Sequence, residues 1–135
     1  MSRRVSLQTV RGATICYYWS SHTTKAMQMM RNYAAAEPRR EDVDESSGAT
    51  LLEFGSPWCG HCRIAQPLLE TALARHPEVR HVKVEDASGR RLGRSFQVKL
   101  WPTLVFLRDG KERARLVRPR EAAAIERALG LIESP

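Results

Sequence analysis

Residues 56–67, SPWCGHCRIAQP, set two cysteines three positions apart at the junction between an apolar run and a stretch of helical periodicity. The run before it, TLLEF at 50–54, is short and almost continuously apolar, the pattern of a strand covered on both faces. After it, Ile64, Leu68, Leu69, Ala72 and Leu73 recur at helical spacing over 59–75. Pro67 falls inside that stretch, where it removes a backbone donor and is expected to kink the helix.

The alternation continues on both sides of this junction. NYAAAEP is expected to hold a short strand, followed by a helix over RREDVDES with Pro38 at its first position and Gly48 closing it. VRHVKVED (79–86) reads as a strand with Val79, Val82 and Val84 as its apolar members, and GRRLGRSFQV as a short helix turning Leu92 and Phe96 inward. TLVFL (103–107), the turn pair Asp109-Gly110 and KERARLV predict a hairpin. PREAAAIERALGLI predicts a closing helix that begins at Pro119, with Ala122, Ile125, Ala128 and Leu129 as its stripe. The order calls for an α/β fold with a central mixed sheet flanked by helices on both faces.

The chain has 135 residues, enough for one core, and its 42% apolar and 27% charged content is ordinary for a globular protein. Net charge is +7, and residues 1–30 carry Arg3, Arg4, Arg11 and Lys25 with no acid. We read 1–30 as a basic, disordered tail and 31–135 as the folded domain. No nucleic-acid motif accompanies the tail, so a solvated segment is the simpler reading. Its apolar run ATICYYW is too short for a secretory signal core or a membrane span, so the expected location is the cytoplasm.

Three chemistries use a C-x-x-C pair. Haem attachment needs histidine directly after the second cysteine, where this chain has Arg63. Structural zinc needs four ligands, and Cys16, His22, His76 and His81 lie at scattered spacings. Redox exchange needs only two thiols, one of them activated. Cys59 opens the predicted helix, where backbone N–H groups and the helix dipole favour thiolate; Cys62 follows one turn deeper, placed to attack a mixed disulfide at Cys59. The third cysteine, Cys16, lies in the tail and reads as a bystander.

PWCGHC in this β-α-β setting, followed by WPT at 101–103, resembles the thioredoxin superfamily over roughly residues 32–129, with C-G-H-C in the form used by protein disulfide isomerase domains. The resemblance implies a thioredoxin fold and thiol–disulfide exchange. It makes Cys59 the nucleophile, Cys62 the resolving thiol, and Glu53 a buried acid on the central strand that relays the proton of the second cysteine. Burial is expected to raise the pKa of such an acid toward the working range of the thiols, which lets its carboxylate take up and release a proton there. Lys83 falls where the family often keeps a lysine near that acid; a surface position is the alternative.

Pro102 is implied to be a cis-proline that presents the preceding backbone to an extended substrate, with Trp101 and Thr103 beside it. Trp58 is implied to shield the pair, or to pack in the core. Trp101 departs from the family's smaller residue, and either narrows the groove or packs into its loop. Arg118-Pro119 stands where the family's last hairpin commonly ends in glycine. His61 stabilises the Cys59 thiolate and pushes the pair toward oxidant character. No cofactor or metal is expected, because the two sulfurs carry the electrons. The expected partners are protein disulfides and a separate reductase or small thiol for recycling, with no nucleic acid and no membrane, the chain acting as a monomer. Reductase use is expected; an oxidant or isomerase, or a non-catalytic binding module of the same fold, is the alternative.

Overall fold

The computed structural model describes residues 33, 34 and 36–134. Cys16 and the basic segment at 1–30 lie outside them. The elements run α1 (Arg40–Asp44), β1 (Ala49–Gly55), α2 (Gly60–Leu73), β2 (Arg80–Glu85), α3 (Leu92–Ser95), β3 (Thr103–Arg108), β4 (Lys111–Val117) and α4 (Ala122–Glu133). The sheet order is β2-β1-β3-β4, with β1 parallel to β2 and antiparallel to β3, and β3 antiparallel to β4.

Side chains on successive strand residues point to opposite faces, so β1 feeds two cores at once. Leu51, with Leu104 and Phe106 of β3, packs under Ala65, Leu69, Ala72 and Leu73 of α2 and Ile125, Leu129 and Ile132 of α4. Leu52 and Phe54, with Val84, Val105 and Leu107, pack on the opposite face against Val43 of α1 and Leu92 and Phe96 around α3. This is the thioredoxin fold expected from the sequence: a four-stranded mixed sheet flanked by helices on both faces. The alternation also fixes Glu53 on the face of Leu51, beneath α2 and α4, where it is fully buried.

The expected hairpin forms. Asp109 and Gly110 have φ of 50° and 76°, and Arg108 pairs with Lys111 across them. Two positive φ values make a type I′ turn, which matches the strand twist. Three expectations need correction. Tyr33 and Ala34 lie in no strand, although the Ala34 amide donates to the Lys83 carbonyl at 2.8 Å. The first helix starts at Arg40 and lasts five residues. The Glu37 carboxylate accepts from the backbone amides of Arg91 and Leu92, which holds the chain before Pro38 to α3. Pro119 does not open the last helix, which begins at Ala122 after an extended Glu121. The chain first turns through Arg118, whose amide donates to the Pro102 carbonyl at 2.9 Å. Among the described residues no helix is long and apolar enough to cross a membrane, and no cluster of His, Cys, Asp or Glu has the makings of a metal site.

Candidate functional site

The site forms at the end of the sheet where β1 stops, β3 begins and β4 finishes. Thr103 pairs with Phe54 on one side and Val117 on the other, so Pro102 and Arg118 stand level with Gly55 and the loop carrying Cys59. Cys59 is the N-cap of α2, with φ −81° and ψ 115°. Its sulfur accepts the backbone N–H of Cys62 at 3.2 Å, one of the amides that a helix start leaves without an internal partner. With the dipole of a 14-residue helix behind it, this position favours negative charge on sulfur. Both thiols are free; Cys59 is half-buried, and Cys62 only 3% exposed. Burial pushes the Cys62 thiol well above the ordinary range, helped by its hydrogen bond to Cys59 and by the charges of Cys59 and Glu53. The pair is asymmetric: an outer sulfur that accepts a backbone N–H and an inner one whose burial favours the thiol.

Glu53 is the innermost polar group. Gln66 Nε2 donates to its Oε1 at 2.5 Å, and His81 Nε2 lies 2.8 Å from its Oε2. Lys83, opposite Glu53 in the parallel register, donates from Nζ to Gln66 Oε1 at 3.2 Å, which fixes the orientation of that amide. Lys83 is therefore buried and joined to the acid through Gln66 rather than lying on the surface. Its ammonium also stands 4.8 Å from the Tyr33 ring centre. Burial, and then the charge of Cys62, push the Tyr33 phenol upward. A cleft of about 370 Å³ lined by Tyr33, Ser56, Pro57, Cys62, Arg63, Gln66 and Lys83 leads from the surface to the inner thiol.

The Trp101–Pro102 bond is cis, and Pro102 is buried at the start of β3. Trp101 packs onto its loop: the indole N–H donates to Asp86 Oδ2 at 2.8 Å, and the Asp86 amide is tied to the Gly55 carbonyl at 2.8 Å. The Trp101 carbonyl accepts Arg118 Nε at 3.0 Å. Arg118 has φ of 49°, the left-handed region that suits glycine. Thr103 is buried, and its hydroxyl closes the turn onto the Leu100 carbonyl at 2.6 Å. Trp58 does not pack in the core; it is 86% exposed beside Cys59. His61 is exposed on the first turn of α2 with no hydrogen-bond partner among the described residues.

The structure thus brings Cys59, Cys62, Trp58, Trp101, Pro102 and Thr103 to one end of the sheet, with Glu53 beneath. Sequence reasoning missed Tyr33, Gln66, His81 and Asp86. Two left a signal: Gln66 lies four residues after Cys62 on the same helix face, and His81 lies two before Lys83 on the same strand face. Tyr33 and Asp86 reach the site through chain folding alone.

The sequence profile of the family described as Thioredoxin matches residues 32–130. A thioredoxin of Chlamydia trachomatis is 39% identical over 72 residues, covering 53% of this chain and 71% of that one. Protein disulfide-isomerase A3 of Gallus gallus is 38% identical over 82 residues, which are 60% of this chain and 16% of that protein. The structure of thioredoxin 2 from Pseudomonas aeruginosa in its reduced form superposes with a TM-score of 0.70 at 56% identity, covering 79% of this chain and all of that one. With the dithiol at a helix start and the profile matched over most of its length, this chain belongs to the thioredoxin family.

Proposed function

We propose that the chain is a thiol–disulfide oxidoreductase that reduces disulfides in protein substrates through a C-G-H-C dithiol of the protein-disulfide-isomerase type. The observation that carries this reading is the asymmetry of the pair, with Cys59 Sγ accepting the Cys62 N–H at 3.2 Å and Cys62 buried in protonated form.

The Cys59 thiolate attacks one sulfur of the substrate disulfide. A Cys59–substrate bond forms, the substrate bond breaks, and one substrate thiolate leaves with the electron pair. Cys62 then gives its proton to the Glu53 carboxylate and attacks Cys59 Sγ. The Cys59–Cys62 disulfide closes, the second substrate thiolate is expelled, and both thiolates take protons from solvent. The substrate has gained two electrons, which the protein recovers from a separate reductase or small thiol.

Trp58 and the Trp101–Pro102 backbone supply the surface against which an extended substrate lies. Thr103 shapes that turn, and His61 tunes the Cys59 thiolate. We place this activity in residues 31–135, behind a tail at 1–30, in a cytoplasmic monomer.

The test is reduction of insulin disulfides by the full-length chain in the presence of dithiothreitol. The parent is expected to accelerate it and Cys59→Ser to abolish the acceleration, while reduced Cys62→Ser, freed of dithiothreitol and mixed with insulin, is expected to accumulate a mixed disulfide visible by mass spectrometry. A parent no faster than dithiothreitol alone overturns the proposal. His61 within the pair favours a second reading, an oxidant or isomerase, because an imidazole beside the thiolate stabilises the reduced form.

A further inference from the structure

The exchange steps above leave unused a titratable side chain buried against Glu53. His81 of β2 is 3% exposed at its side chain, and its Nε2 meets Oε2 of the fully buried Glu53 at 2.8 Å. Its other ring nitrogen, Nδ1, is buried without a hydrogen-bond partner among the described residues. A proton on Nδ1 would be an unsatisfied buried donor, and a charged one in the imidazolium, which costs more than a bare lone pair. The arrangement that leaves no buried donor unpaired has the proton on Nε2, which donates to the carboxylate. Gln66 donates to the other oxygen, oriented by Lys83. Both oxygens of Glu53 thus accept hydrogen bonds, and hydrogen bonds to the charged form of a buried acid favour that form. An acid that must take a proton from Cys62 has to be ionised beforehand.

We propose that His81 is a positioning residue for proton transfer: through Nε2 it holds the Glu53 carboxylate ionised and aimed, ready to receive the proton of Cys62. This rests on the reading of Glu53 as proton acceptor. Among the described residues, Lys83 on β2, Cys62 on α2 with Cys59 at its start, and Tyr33 stand around the pair, with Glu85 beyond Tyr33. From β3 only Leu104 stands opposite Glu53. On α4, Glu126 and Glu133 are engaged by Arg75 and His76, and Arg127 is exposed. Gln66 and Lys83 line the cleft that opens onto Cys62, which gives solvent access to this end of the network.

The test is stopped-flow reaction of the reduced full-length chain with dithiobis(nitrobenzoate), in a Cys16→Ser background so that only the pair reports. The first thionitrobenzoate released marks attack by Cys59, and the second marks resolution by Cys62. In His81→Leu the acid limb of the second phase is expected to move to higher pH, with the first phase unchanged. His81→Gln keeps a donor at the reach of Nε2 and is expected to restore the parent profile. His81→Asn is polar but too short, and is expected to behave as His81→Leu, so the Asn–Gln comparison decides if the leucine variant does not fold. A second-phase profile that overlays the parent in His81→Leu or His81→Asn, or one displaced as far in His81→Gln, overturns the proposal. Glu53→Gln separates the two levels. If it leaves the second-phase profile intact, the acceptor reading falls and this inference with it. If it alters the profile while the His81 variants do not, only the role of His81 falls.

Discussion

Gly55→Ala is expected to slow the resolving step while sparing the first attack. Gly55 ends β1 directly beneath the inner thiol: a Cβ built there would lie 2.7 Å from Cys62 Sγ, 3.2 Å from the Tyr33 hydroxyl and 3.7 Å from Cys62 Cβ. The first distance is far inside van der Waals contact, so the sulfur has to move. Cys62 has a single side-chain torsion and sits on a packed helix face, so it escapes only by leaving its rotamer or by displacing the turn that carries it. Overpacking of this kind costs about 1–3 kcal/mol. A displacement of about 1 Å at a reacting atom costs roughly 10²-fold in rate. None of the three atoms nearest the new methyl belongs to Cys59, so its attack is expected to keep the parent rate. Rapid quenching of a reaction with a disulfide peptide, followed by mass spectrometry, would show a Cys59–peptide adduct persisting in Gly55→Ala and vanishing in the parent. Equal lifetimes of the adduct in the two proteins would refute the reasoning.

Iodoacetamide at neutral pH is expected to alkylate Cys59 and to leave Cys62 unmodified, because burial keeps the inner thiol protonated; peptide mapping checks the site. The same shift has a consequence for stability. The folded state holds the Cys62 proton more tightly than the unfolded chain, whose thiol titrates near 9.0, so the reduced protein loses stability as pH rises above that value. Thermal melts are expected to show this loss in the reduced protein and a smaller one in the oxidised protein, where Cys62 no longer titrates and the raised Tyr33 phenol still contributes. Gly110→Ala is expected to cost more than about 1 kcal/mol in urea unfolding, since φ is 76° there and a Cβ would strike the Asp44 carbonyl oxygen. Asp86→Ala removes the acceptor of the Trp101 indole and is expected to destabilise by about 1 kcal/mol, with a change in tryptophan fluorescence as the ring loosens.

The frame of the fold was legible because it rests on local periodicity. TLLEF, the helix after Cys59 and the Asp109-Gly110 hairpin each carry their own signal, and each forms where expected. Glu53 stood out for a related reason, as a carboxylate in an apolar run. What holds it was hidden, because Gln66 and His81 meet it only once α2 lies over β1 and β2 pairs in parallel register. Trp101 had two readings from sequence, and a distant aspartate chose between them. The prolines misled where tertiary demands outweighed local preference. Residues after Pro38 wait on the attachment of Glu37 to α3, and Pro119 is spent on the turn that brings Arg118 across Pro102.

The central claim, a dithiol working as a reductase, is tested most directly by its reduction potential, measured by equilibrating the Cys59–Cys62 pair in glutathione buffers of known ratio with Cys62→Ser as control. The account predicts a two-electron transition close to the value of thioredoxin, about −270 mV. A midpoint near that of protein disulfide isomerase, about −180 mV, would contradict it and make the pair an oxidant.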